Sequence, residues 1–141
     1  MRILGIDYGD SRIGLAVSDA MGWTAQPVGV ISEKDKERQL CRVIEYIDEL
    51  KADEIVIGMP KNMNGTFGER AEVTKLFAEK LARRTGLEPI YWDERLSTAA
   101  AHKTLQEGMV SGKKRKGLLD KIAAVLILQG YLDSRQNLNG R

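Results

Sequence analysis

A chain of 141 residues with 43% hydrophobic residues, 30% charged residues and a formal net charge of +2 has the balance of a globular domain with one core. No run approaches the roughly 20 apolar residues of a membrane span, so no membrane partner is expected. One cysteine and one histidine exclude an internal disulfide and any thiolate or imidazole metal cluster, so a bound metal would need oxygen ligands.

Residues 2–8 alternate Ile3 and Gly5 with Leu4 and Ile6, the pattern of a central strand covered on both faces. Asp7 breaks this opening apolar run too early for a signal peptide, and a cytoplasmic location is the expectation. Gly9-Asp10-Ser11 is a turn, and residues 12–18 form the return strand of a hairpin, with Ile13, Leu15 and Val17 on one face. A third strand falls within 24–31. Leu40, Val43, Ile44, Ile47 and Leu50 recur at helical spacing across 33–51, and Cys41 is expected as a buried thiol of that helix.

Residues 54–58 read as a short buried strand ended by Met59-Pro60. The loop 61–66 leads to a helix over 68–85, with Val73, Leu76, Phe77 and Leu81 inward and Gly86 as its stop. A strand over 88–92 turns through Asp93-Glu94-Arg95 into a helix for which Ser97 is a plausible cap. Residues 108–117 are expected as a mobile, lysine-rich loop, and 118–134 as the last helix. The domain is therefore drawn as 1–134 with a polar, frayed tail over 135–141. The expected fold class is α/β: a mixed five-stranded sheet, a three-stranded antiparallel meander plus parallel strands, flanked by helices.

Three acids stand where such a sheet presents chemistry. Asp7 closes the first strand at its C-terminal end, and Glu94 follows a strand that a helical crossover makes parallel to it. Asp120 shares a helix face with Ala123, Ala124 and Ile127, and an acid on an apolar face needs a cation, a donor set or a metal. Each also has an ordinary reading: Asp7 as the opening of the Gly9 turn, Glu94 as a loop charge, Asp120 as a first-turn acid. Three carboxylates converging on one edge would repel unless cations neutralised them. Hard oxygen ligands select Mg²⁺ or Mn²⁺, and two such ions suit phosphodiester hydrolysis.

The stretches Gly5-Ile6-Asp7-Tyr8-Gly9 with Arg12-Ile13-Gly14, Ile57-Gly58-Met59-Pro60 with Asn64-Gly65, Asp93-Glu94-Arg95-Leu96-Ser97-Thr98 and Asp120-Lys121-Ile122-Ala123-Ala124 span nearly the whole chain in order. Together they make the sequence resemble the YqgF/RuvX family, relatives of the RuvC-type Holliday junction resolvases and of ribonuclease H. The resemblance implies a ribonuclease-H-like fold and a metal-binding, catalytic triad of Asp7, Glu94 and Asp120. It implies two candidate substrates, four-way DNA junctions and the precursor of 16S ribosomal RNA. Symmetric junction cutting generally requires two active sites, which makes a homodimer possible.

Around the triad, Arg12 and Arg95 are candidates for binding phosphate or for neutralising the acids. Lys61, Asn64 and Arg70 are candidate backbone contacts, as is the run Lys113, Lys114, Arg115 and Lys116, although charge runs are commonly solvated surface. Tyr8, Trp23, Tyr91 and Trp92 could stack on bases but are expected mainly to pack. Two rival readings are a catalytically silent RNA- or ribosome-binding module and a domain related to actin-like ATPases. The second lacks the companion domain those folds use to enclose a nucleotide.

Overall fold

The computed structural model describes residues 1–60, 68–93 and 112–139, with the backbone alone described over 112–121 and 137–139. Its elements are β1 (Ile3–Tyr8), β2 (Arg12–Ser18), β3 (Ala25–Ser32), α1 (Lys36–Leu50), β4 (Glu54–Met59), α2 (Glu69–Thr85), β5 (Ile90–Asp93) and α3 (Gly112–Asn139). They build a five-stranded sheet of order β3-β2-β1-β4-β5. The β1–β2 and β2–β3 pairs are antiparallel, while β1–β4 and β4–β5 are parallel, which is the expected mixed sheet. The parallel strands β1, β4 and β5 consequently end on one edge.

Alternation along β1 divides the core in two. Leu4, Ile6 and Tyr8 face α1 and α2, together with Ile13, Leu15, Leu40, Val43, Ile55, Phe77 and Leu81. Ile3 faces α3 in a second cluster with Ala16, Val56, Ala124, Ile127, Leu128 and Leu132. Gly5 lies under α3, where a Cβ would stand 2.7 Å from that of Leu128 and 3.2 Å from the Ala124 carbonyl oxygen. Only glycine lets helix and strand approach this closely.

Several boundaries differ from the sequence reading, each for a local reason. Pro89 donates no hydrogen bond, and β5 begins at Ile90 rather than Glu88. Pro27 is tolerated because β3 is an edge strand, and the register shifts beside it. In α2 the inward residues are Ala71, Thr74, Phe77, Ala78 and Leu81. Val73 and Leu76 lie off that stripe, at 38% and 56% exposure. Cys41 is exposed, because α1 turns Leu40, Val43 and Ile47 inward.

The largest correction concerns α3. It begins at Gly112, so the run Lys113–Lys116 lies on helix rather than in a loop. Lysine and arginine are good helix formers, and adding turns to an existing helix avoids the nucleation cost. At the other end α3 continues through residues drawn as a frayed tail. Arg135 there pairs with Glu54 at 2.8 Å, and the Gln136 amide donates to the Gly22 carbonyl at 3.2 Å, which ties this last part of the helix to the sheet. No helix among the described residues is long and apolar enough to cross a membrane.

Candidate active site

The strand register sets where Asp7 lies. It pairs opposite Gly14 near the C-terminal end of β1, half-buried, and shares the parity of Ile3 and Gly5, hence the face that α3 covers. The direction of α3 follows from its polar contacts. Gln129 donates to the Trp23 carbonyl at 3.0 Å and accepts from the Ala25 N–H at 2.9 Å, while Gln136 and Arg135 reach Gly22 and Glu54. All of these partners lie toward the N-terminal end of β1, so α3 runs antiparallel to β1 and its first half extends toward the edge where β1, β4 and β5 end.

Of the expected triad, Asp7 is the member whose side chain is described. The backbone at Asp120 lies in α3 one turn before Ala124, and its side chain is outside the described residues. Glu94 follows Asp93, the last residue of β5, and lies outside them, as do Arg95, Ser97, Lys61 and Asn64. Among the described residues no three acids, histidines or cysteines cluster at metal-binding range. The side chains of Lys113, Lys114, Arg115 and Lys116 are likewise outside the description.

Arg12 starts β2 opposite Ser32 and is half-buried. Arg70, near the start of α2, meets the β1–β2 turn: one guanidinium nitrogen lies 3.3 Å from the Asp10 carboxylate and another donates to the Tyr8 carbonyl at 3.4 Å. Lys36, which the sequence reading missed, joins it. Its Nζ donates to the Tyr8 hydroxyl at 3.2 Å and stands 4.0 Å from the Asp10 carboxylate. The Asp10 side chain is 71% exposed, so these pairs are each worth about 1 kcal/mol or less.

Beneath them the turn is pinned from inside. Gln39 is fully buried, and its amide donates to the Asp10 and Glu33 carbonyls at 2.7 and 2.6 Å. Its Oε1 accepts from the Tyr8 hydroxyl at 3.3 Å, and the Tyr8 ring stacks on Phe77 at 4.3 Å between centroids. A readable signal existed for Gln39: a polar residue four before Val43 lies on the apolar stripe of α1. Lys36 carries the same signal, four before Leu40, but its long side chain brings its ammonium out to the turn. Among the aromatics, Tyr8 packs inside and Trp92 meets Tyr131 edge-on at 6.2 Å, whereas Trp23 and Tyr91 are 56% and 43% exposed.

Proteins named "Putative pre-16S rRNA nuclease" from Ruminiclostridium cellulolyticum and Agathobacter rectalis are 53% identical over 134 residues and 54% identical over 140. The alignments cover 94% of both chains in the first case, and 97% of this chain and 98% of the relative in the second. Among solved structures, Thermus thermophilus RuvC in complex with Holliday junction substrate matches with a TM-score of 0.63 at 15% identity, over 97% of this chain and 96% of that one. The fowlpox virus Holliday junction resolvase matches at 0.56 and 14% identity, over 95% and 99%. At such identities the likeness shows a shared fold, the ribonuclease-H-like fold of RuvC-type resolvases. Residues 1–134 match the family described as RuvX, Holliday junction resolvase, and the chain belongs to that family.

Proposed function

We propose that this chain is a metal-dependent nuclease that processes the precursor of 16S ribosomal RNA, with Asp7, Glu94 and Asp120 as its catalytic, metal-binding acids. The observation that carries the reading is the register of α3 on β1. From Gly5 to Asp7 the strand rises about 7 Å, and from Ala124 back to Asp120 the antiparallel helix rises about 6 Å. The contact of Ala124 and Leu128 with Gly5 therefore supports Asp120 lying at the level of Asp7. Glu94, directly after the end of a strand parallel to β1, supplies the third acid at the same edge.

This donor set fits Mg²⁺ or Mn²⁺, because it consists of carboxylate oxygens at the end of parallel strands with no histidine or thiolate among them. Two bound ions would relieve the repulsion among the acids, activate the attacking water and stabilise the leaving oxygen. The protein's own part is to hold three carboxylates from three elements in register. Arg12 and Arg95 bind phosphate or balance the acids, while Lys61, Asn64, Arg70 and one face of the helical run Lys113, Lys114, Arg115 and Lys116 follow the nucleic-acid backbone. The nuclease domain covers residues 1–134 and the end of α3 that Arg135 and Gln136 tie to the sheet, and it acts in the cytoplasm, where ribosomal RNA precursors of a bacterium are matured.

The RuvC-like fold favours one second reading, cleavage of four-way junction DNA, which calls for a homodimer. One panel of ribosomal RNA precursor, junction DNA and linear DNA, incubated with Mg²⁺ or Mn²⁺, separates them. The expected result is metal-dependent cleavage of the precursor that Asp7→Asn abolishes. Cleavage of the junction alone establishes the second reading, and no cleavage of any substrate leaves a silent binding module.

A further inference from the structure

On the α2 side of the sheet, at the same edge, Met59, Ala71, Glu72, Lys75, Tyr91, Trp92 and Asp93 enclose a recess of about 380 Å³. That volume lies within the roughly 300–1,000 Å³ of small-ligand sites. Its floor is apolar, from Met59, Ala71 and the Tyr91 ring, and its rim carries two carboxylates and one ammonium. Tyr91 and Asp93 alternate with Ile90 and Trp92, which pack toward α3, so β5 turns Tyr91 into the recess with 43% of its surface exposed. Met59 and Asp93 are register partners at the ends of β4 and β5. Two strand spacings, roughly 10 Å, separate the end of β5 from β1 within the sheet, and Asp7 stands on the opposite, α3-covered face, so one RNA strand reaches both by passing round the ends of β4 and β5.

We propose that this recess takes an unstacked nucleobase of the RNA substrate, a few nucleotides from the scissile phosphate, with Tyr91 as its stacking surface. The proposal rests on the nuclease reading. The charges decide which part of the nucleotide enters. Among the described residues Glu72 stands at the rim beside Lys75, and Glu79 and Glu88 act on Tyr91 from nearby, which disfavours a phosphate there. Carboxylates instead accept hydrogen bonds from exocyclic amino groups, which cytosine, adenine and guanine carry and uracil does not. Burial, with those two acids, holds the Tyr91 phenol above its ordinary range, so the ring stays neutral. Single-stranded RNA is commonly recognised in this way, by splayed bases stacked on aromatic side chains.

The test uses a fragment of ribosomal RNA precursor carrying one abasic site at each unpaired position in turn, bound to the Asp7→Asn protein with Mg²⁺ and read by fluorescence anisotropy. Tyr91→Ala should weaken binding of the intact fragment by about 5- to 150-fold, the range for loss of one base–aromatic stack. Tyr91→Phe should retain it. At one position the abasic site should cost the parent protein a similar factor and cost Tyr91→Ala nothing further, and uracil there should bind worst unless Glu72 is replaced by Gln. Additive losses at every position, or equal losses for Phe and Ala, would overturn the pocket while leaving the nuclease reading intact. Failure of the wild type to cleave, with binding still sensitive to Tyr91, would refute the nuclease reading instead.

Discussion

Replacing Gly5 by Ala tests the register on which the proposed site depends. The added methyl would stand 2.7 Å from the Leu128 Cβ, against an optimum of about 3.5–4.0 Å, so strand and helix must part by about 1 Å. Overpacking of this kind costs about 1–3 kcal/mol. For 141 residues a kilocalorie shifts Tm by about 3–4 °C, which places the expected loss at about 3–12 °C. Activity should suffer more, because α3 carries Asp120 and a 1 Å misplacement in an active site can cost about 100-fold. The crowded atom is a Cβ, so Leu128→Ala cannot relieve it. That substitution alone should cost about 2–5 kcal/mol as a cavity, and the double variant should be no more stable than either single one. Calorimetry with a cleavage assay decides. Gly5→Ala with Tm within about 1 °C of wild type and undiminished cleavage, or rescue by Leu128→Ala, would refute the reasoning.

Further outcomes follow from particular residues. Asp7→Asn should abolish cleavage while leaving the metal-free Tm unchanged or slightly raised, since in the proposed triad it removes one of three like charges; a large drop would make Asp7 structural. Replacing Lys113, Lys114, Arg115 and Lys116 by serine should weaken RNA binding and flatten its salt dependence. Successive helical residues turn by about 100°, so no more than two of the four can follow one strand, and the slope of log K against log salt should change by about 1.4 rather than 2.8. The Asp19 carboxyl, held low by the Thr24 hydroxyl and then by the Trp23 N–H, should stabilise the β2–β3 turn above the ordinary carboxylate pKa of about 4. Its contribution is lost as the pH falls through the lowered folded value, so the Tm difference between wild type and Asp19→Asn should close in acid. A difference that persists at low pH would exclude ionisation as its source.

Periodicity determined most of the elements. The alternation over residues 12–18 calls for a strand and the stripe Leu40, Val43, Ile47 for a helix, because each pattern must place its apolar residues on one covered face, while the short, continuously apolar run 2–8 suits a strand covered on both. The parity of Asp7 with Gly5 and the following of β5 by Glu94 were legible too, since both are local. Tertiary packing decided the rest. Nothing in the stretch around residues 112–117 announces that the last helix begins there, because a helix is extended by what anchors it elsewhere. Arg135 joins the fold through Glu54, 81 residues away, and Arg70 meets Asp10 at a separation of 60, so neither pairing has a local signature. The inward face of α2 depends on small residues such as Ala71 and Ala78, which hydrophobic patterning weights less than Val73 and Leu76. The recess beside Tyr91 likewise needs α2 laid across the end of β5. Local spacing determines which residues share a face, while which faces meet is a property of the assembled core.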